Sequence, residues 1–296
     1  MPYLLLGVMV LCYALQSLFE RLYAGNCEGD GREASLRFAV LFGIFIGIVT
    51  FAASALSGGI SFSPSRRTLW FALLNAAVLV IFHLSQIGAT TRGSYAIANL
   101  CMLFGGILLP MIVSLTQMGQ ALTVLQIIAV VLMCLSFLLL NCQGLSLGGT
   151  KKGFWFCCIA LALSNGAYGS ILALQADAAP TERVEMLTLS YLASALFAAL
   201  VLLGGRVRNR KKPKKFRMKG RAWLFAFGCC AVATVAVNIL SYLLARVNVT
   251  VVNTVDNGGV LLLAALFGYL IFHEKPTKVQ VLGLAVALGS VVLLSF

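Results

Sequence analysis

The stretches RGSYAIANLCMLFGGILL (residues 92–109) and RVNVTVVNTVDNGGVLLL (residues 246–263) lie 154 positions apart. They share Arg92/Arg246, Asn99/Asn253, Gly105/Gly259, Leu108/Leu262 and Leu109/Leu263. At the same offset Thr123 meets Thr277, Gln126 meets Gln280, and Ser136 meets Ser290. Shared apolar composition would match leucines and valines at many offsets. Matching Arg, Asn, Gln and Gly at one constant offset instead marks an internal repeat.

What is repeated follows from composition. Hydrophobic residues make up 60% of the 296 and charged residues only 10%. Apolar stretches of about 20 residues, the length that crosses roughly 30 Å of hydrocarbon, recur along the chain. Ten are read, at 2–20, 36–56, 68–89, 93–117, 121–142, 153–176, 185–205, 221–244, 248–272 and 277–296. In lipid each must satisfy its own backbone, so each is a helix. The first has no basic n-region and no small-residue cleavage site, and reads as a retained span. The expected fold class is an all-α polytopic membrane protein with ten transmembrane helices. Residues 1–150 form a first five-helix repeat and 151–296 a second. Five is odd, so the second repeat enters the membrane inverted, an architecture that secondary transporters use.

The net charge of +13 is unevenly placed: ten of the 22 basic residues lie in RVRNRKKPKKFRMKGR (206–221), between the seventh and eighth spans. That loop reads as a topology determinant with affinity for anionic headgroups of the lipid bilayer, not as a nucleic-acid site. Alternating the loops between two faces puts 18 basic residues on one and 4 on the other. The rich face is expected to be cytoplasmic, with both termini outside. The nine cysteines sit mostly in spans without C-x-x-C or Cys/His clustering, so neither a metal site nor a disulfide framework is expected. No cofactor is implied.

The segment GYLIFHEKPTKVQVLGLAVALGSVVLLS (268–295) resembles the end of the repeat unit in the drug/metabolite transporter (DMT) superfamily, in its ten-helix EamA-like transporters. There a glycine-containing apolar helix ends in a Glu turn, then come a short polar loop, a Gln and a Gly-containing last helix. Glu274, Gln280, Gly283 and Gly289 fit. The first half repeats the pattern with Gln120 in place of the Glu, and with Gln126. The proline of that pattern is missing from the second half and stands in the first as Pro110. The resemblance implies a transporter with termini inside, against the charge count.

Asp256 is the one acidic residue read well inside a span, about 12 Å along its helix from residue 248. A carboxylate there costs about 2.5–3.5 kcal/mol, so it is expected to face a protein-lined or watery cavity. Asn253 and Asn257 flank it, and Gly258 and Gly259 are read as loosening the helix or admitting a close neighbour. His83 is the other titratable group inside a span and a candidate, with Asp256, for proton coupling. Asn99, Asn165, Tyr168, Tyr13, Tyr242 and Gln16 are further candidates for the walls of one polar substrate cavity. Asn75, Gln86, Asn238 and Tyr191 are also polar and within spans, and SNGAYGS (164–170) supplies small residues for close crossing. Glu20 and Arg21 read as snorkelling at the end of the first span. GIFIG (43–47) fits packing inside the fold and a homodimer equally.

The function these residues point to is secondary transport of a small organic solute by alternating access at the cell membrane. With Asp256 the one carboxylate read inside the spans, no basic residue deep in one and tyrosines nearby, a cationic amine or quaternary ammonium is electrostatically preferred, with zwitterions and neutral metabolites left open. A non-transporting scaffold or sensor is the alternative. An intramembrane hydrolase has little behind it, since G-x-S-x-G is absent, and no P-loop points to ATP.

Overall fold

The computed structural model describes residues 2–28, 31–56, 62–90, 92–93, 95–141, 152–208, 217–272 and 277–294. Among them the chain forms ten α-helices. The first five are α1 (Pro2–Gly25), α2 (Gly31–Leu56), α3 (Arg66–Thr90), α4 (Tyr95–Thr116) and α5 (Val124–Asn141). The second five are α6 (Phe154–Ala178), α7 (Arg183–Arg208), α8 (Gly220–Leu244), α9 (Val249–Phe272) and α10 (Lys278–Leu293). The exception to helix is a two-residue antiparallel pair, β1 (Cys27–Glu28) with β2 (Arg217–Met218). Glu274, His273, Cys142 and residues 209–216 of the basic loop lie outside the described residues.

Seven of the helices are long and apolar enough to cross a membrane. Leu100–Thr116, Val124–Leu140 and Lys278–Leu293 are shorter apolar stretches, so length and composition establish seven spans among the described residues rather than ten. The bundle is apolar outside and partly polar inside, the reverse of a water-soluble protein. Phe156 is 77% exposed and Leu224 70%, while Ser136, Ser190, Thr250, Thr254 and Asn75 are fully buried. Such a surface suits hydrocarbon, and small polar residues let helices approach closely inside it.

The closest approaches use glycine. A Cβ on Gly105 of α4 would overlap the backbone of Ala162 in α6, and one on Gly166 would overlap the carbonyl oxygen of Gly105. Both residues of the GIFIG pair pack α2 onto α7: added Cβ atoms would lie 2.9 Å from Ala195 Cβ at Gly43 and 2.7 Å from Leu192 Cγ at Gly47. That motif therefore works inside the chain.

The packing keeps its pattern when each helix is exchanged for the one five places on. Helix α1 lies on α8 as α6 lies on α3, α4 on α6 as α9 on α1, and α3 on α7 as α8 on α2. The pairs α2–α7, α4–α9 and α5–α10 are their own counterparts. Local detail follows the same offset. Thr123 and Gln126 cap α5 reciprocally, side chain to backbone at 3.1 and 3.2 Å, and Thr277 and Gln280 cap α10 in the same way. Arg92 Nη1 donates to Gly88 O at 2.9 Å and Arg246 Nη1 to Tyr242 O at 3.3 Å.

Loops join by parity. Strand β1 after α1 pairs with β2 before α8, at one end of the bundle. At the other end the Ser65 N–H before α3 donates to Glu182 Oε2 before α7 at 2.8 Å, and the Val249 N–H donates to Gln120 Oε1 at 3.0 Å.

Candidate functional site

Mid-bundle, α1, α2, α3, α4, α6, α7, α8 and α9 enclose a cavity of about 200 Å³. The candidate polar residues of its wall come from four helices. Helix α9 contributes Asn253, Asp256 and Asn257, positions that share one helical face. Helix α6 contributes Asn165 and Tyr168, and α1 contributes Tyr13 and Gln16. His83 of α3 completes it, held edge-on to the rings of Phe82 at 5.5 Å and Phe42 at 6.5 Å between centroids.

Most polar groups here are tied to the protein. Asn165 Nδ2 donates to Met102 O at 2.9 Å, Asn253 Nδ2 to Val249 O at 2.9 Å and Asn257 Nδ2 to Asn253 O at 2.8 Å. The hydroxyls of Tyr168 and Tyr191 bond each other at 3.0 Å. Three atoms differ. Asp256 Oδ1, Tyr13 Oη and Gln16 Oε1 are buried without a hydrogen-bond partner, and all three residues line the cavity. Buried polar atoms are rarely left so, and here they share one space.

Pro110 has a local explanation. It has no N–H, so the carbonyl of Gly106 one turn earlier loses its helical donor. Asn257 Nδ2 reaches that carbonyl at 3.5 Å, tying α9 to α4 at the cavity wall. Gly106 makes room for this, since a Cβ there would lie 2.8 Å from Asn257 Oδ1 and overlap Asn165 Nδ2.

One expectation is narrowed, one is corrected and one falls outside the described residues. Helix α9 runs unbroken from Val249 to Phe272, so Gly258 and Gly259 do not interrupt it. They admit neighbours instead: Cβ atoms there would fall 2.6 Å from Met133 Sδ and 2.6 Å from Val10 Cγ1. Tyr242 is not among the cavity-lining residues; its ring packs under Arg246 at 3.8 Å and Arg183 at 5.1 Å, near the end of α8. Glu20 closes the apolar stretch Pro2–Glu20, at the expected end of the first span, while α1 itself continues to Gly25 and Gln16 Nε2 donates to Glu20 Oε1 at 2.9 Å. The side chain of Asn99 lies outside the described set. Sequence reading did not assign Tyr191, Phe42, Phe82 or Ser17 to the wall. Tyr191 was visible as a polar residue within a span, but the phenylalanines carry no signal that separates a cavity ring from a core ring.

Comparison with known proteins agrees with this architecture. A solved structure described only as a crystal structure of a protein superposes with a TM-score of 0.75 at 17% identity, covering 99% of this chain and 95% of that one. At that identity the likeness shows the fold alone. Among curated proteins none matches the sequence. The model of the EamA-like transporter family matches residues 152–296. Residues 152–296 carry an EamA-like transporter domain, within a multi-pass helical membrane protein whose fold is shared along the whole chain.

Proposed function

We propose that the chain is a secondary transporter that carries a small organic cation through this cavity by alternating access, with Asp256 as the counter-charge. The observation that carries the reading is the set of unpartnered atoms, Asp256 Oδ1, Tyr13 Oη and Gln16 Oε1, facing a space also walled by Phe42, Phe82, Tyr168 and Tyr191. A carboxylate beside aromatic rings attracts an ammonium through both charge and ring quadrupole. A neutral solute would leave the buried carboxylate of Asp256 without a counter-charge.

Proton and cation then compete for one carboxylate. Cation affinity should fall as pH is lowered, and binding should release a proton wherever free Asp256 is partly protonated, which makes proton–cation exchange available with one residue. His83, in the same wall, is the second candidate for the proton's path.

The test uses choline and its uncharged carbon isostere, in which carbon replaces the ammonium nitrogen. The purified protein should bind choline more tightly by at least about tenfold, a difference of roughly 1.4 kcal/mol. Equal binding, or preference for the isostere, would leave Asp256 without its assigned role.

The exchange pattern of the helices supports reading 1–150 and 151–296 as inverted five-helix repeats, with all ten helices crossing the membrane. The basic loop at 206–221 then lies on the cytoplasmic side against anionic lipid. An Asn209→Cys reporter in a Cys-free background should resist impermeant thiol reagents in intact cells and react in inverted vesicles. Ready labelling from outside would reverse the orientation and put the termini inside.

A further inference from the structure

We propose that Glu20 is a second carboxylate station on the solute's route, between the central cavity and the end of the bundle where α1 leaves the membrane; this rests on the transport reading above. Tyr13, Gln16 and Ser17 of α1 all line the cavity. Glu20 follows at spacings of seven, four and three, which puts it on the same helical stripe. The stripe carries it about 10 Å further along α1 than Tyr13, at 1.5 Å per residue.

Gln16 connects the two levels. Its Nε2 donates to Glu20 Oε1 at 2.9 Å, while its Oε1 remains without a partner at the cavity wall. One amide thus touches both the cavity and the second carboxylate.

A structural role would require Glu20 to be neutralised in place. Among the described residues no Lys or Arg side chain forms an ion pair with it, and the ion pair found there is Arg37 with Glu33 at 2.7 Å. Glu20 is only half-buried, inside α1 rather than beyond it. The neighbouring wall is α8, whose Cys229 Sγ donates to Gln16 O at 3.7 Å and whose Gly228 faces Phe19. A carboxylate at the end of the apolar stretch Pro2–Glu20, without an ion pair among the described residues, is placed to meet a cation or water during the working cycle.

The direction of the stripe gives the station its meaning. Helix α1 ends at the same end of the bundle as β1 and β2, the end that carries the basic loop between α7 and α8. A cation leaving Asp256 toward that end would face a concentration of positive charge. A carboxylate one step along the path offsets that field and shortens the jump.

The test is counterflow of labelled choline into proteoliposomes preloaded with unlabelled choline, for wild type, Glu20→Gln and Glu20→Asp. Glu20→Gln keeps shape and an acceptor for Gln16 but removes charge. Its flux should fall by roughly tenfold or more, while equilibrium choline affinity stays within about threefold, because the cavity itself is intact. Glu20→Asp keeps the charge and should hold flux within about threefold of wild type. Unchanged flux in Glu20→Gln overturns the proposal, and so does equal loss in both variants, which would make the role one of packing. Absence of counterflow in wild type would instead strike the transport reading itself.

Discussion

Asp256→Asn is expected to abolish measurable choline transport while the purified variant chromatographs as wild type does and melts at the same temperature or higher. The substitution keeps the size and planarity of the side chain and removes only the charge. Oδ1 has no partner within the protein, so no internal hydrogen bond is broken by the change. Losing one member of a buried charge pair costs roughly 2–5 kcal/mol, which corresponds to an affinity loss of about 30-fold to several thousandfold. Replacing an uncompensated carboxylate in an apolar bundle by an amide also lightens its desolvation cost, so the fold has no reason to weaken. Binding and counterflow on one preparation, with a melting curve, check both halves of the prediction. A variant that binds and transports normally, or that unfolds, would reduce Asp256 to structural glue.

The largest effect on stability is expected from Gly105→Ala. Most of the close glycine contacts in this bundle are with side chains that can turn aside. Gly258 meets the flexible end of Met133, and Gly259 meets Val10. Gly105 meets the carbonyl group and Cα of Ala162, and Gly166 meets the carbonyl of Gly105 in return. Backbone cannot change rotamer, so an added methyl must part α4 from α6. Overpacking of this kind costs about 1–3 kcal/mol in well-packed cores, and the upper end or beyond applies where backbone must move. Separation of α4 from α6 would also carry Asn165 away from Met102 O, so ligand binding should weaken along with the fold. Thermal denaturation of Gly105→Ala beside Gly258→Ala measures the contrast. A smaller loss at Gly105 than at Gly258 would contradict it.

How far the sequence reaches can be judged residue by residue. The offset of 154 was legible because it pairs rare polar residues, and the structure gives two of those pairs the same capping pattern, at Thr123–Gln126 and Thr277–Gln280. Asp256 was legible because a carboxylate inside an apolar run is conspicuous. The part played by Gln16 was only half visible. Its membership of the wall followed from polarity, but its bond to Glu20, at the end of the first span, depends on two rotamers. Tyr242 failed for the opposite reason. It is polar and falls in a span, yet Arg246 one turn on and Arg183 from a distant part of the chain hold its ring near the end of α8. Glycine was ambiguous throughout. Only the neighbouring helix decides whether Gly43 and Gly47 serve a dimer or α7, or whether Gly258 loosens α9 or seats Met133.

The central claim is that a cation moves through the cavity past Asp256, and one measurement meets it directly. Proteoliposomes holding the wild-type protein, preloaded with unlabelled choline, are given labelled choline outside at a lower concentration. The account predicts transient accumulation of label above the outside concentration, saturable with choline and weaker as the external pH is lowered, because protons compete at the carboxylate. No accumulation from correctly folded protein, across choline and smaller quaternary ammonium ions that fit the cavity, would contradict it.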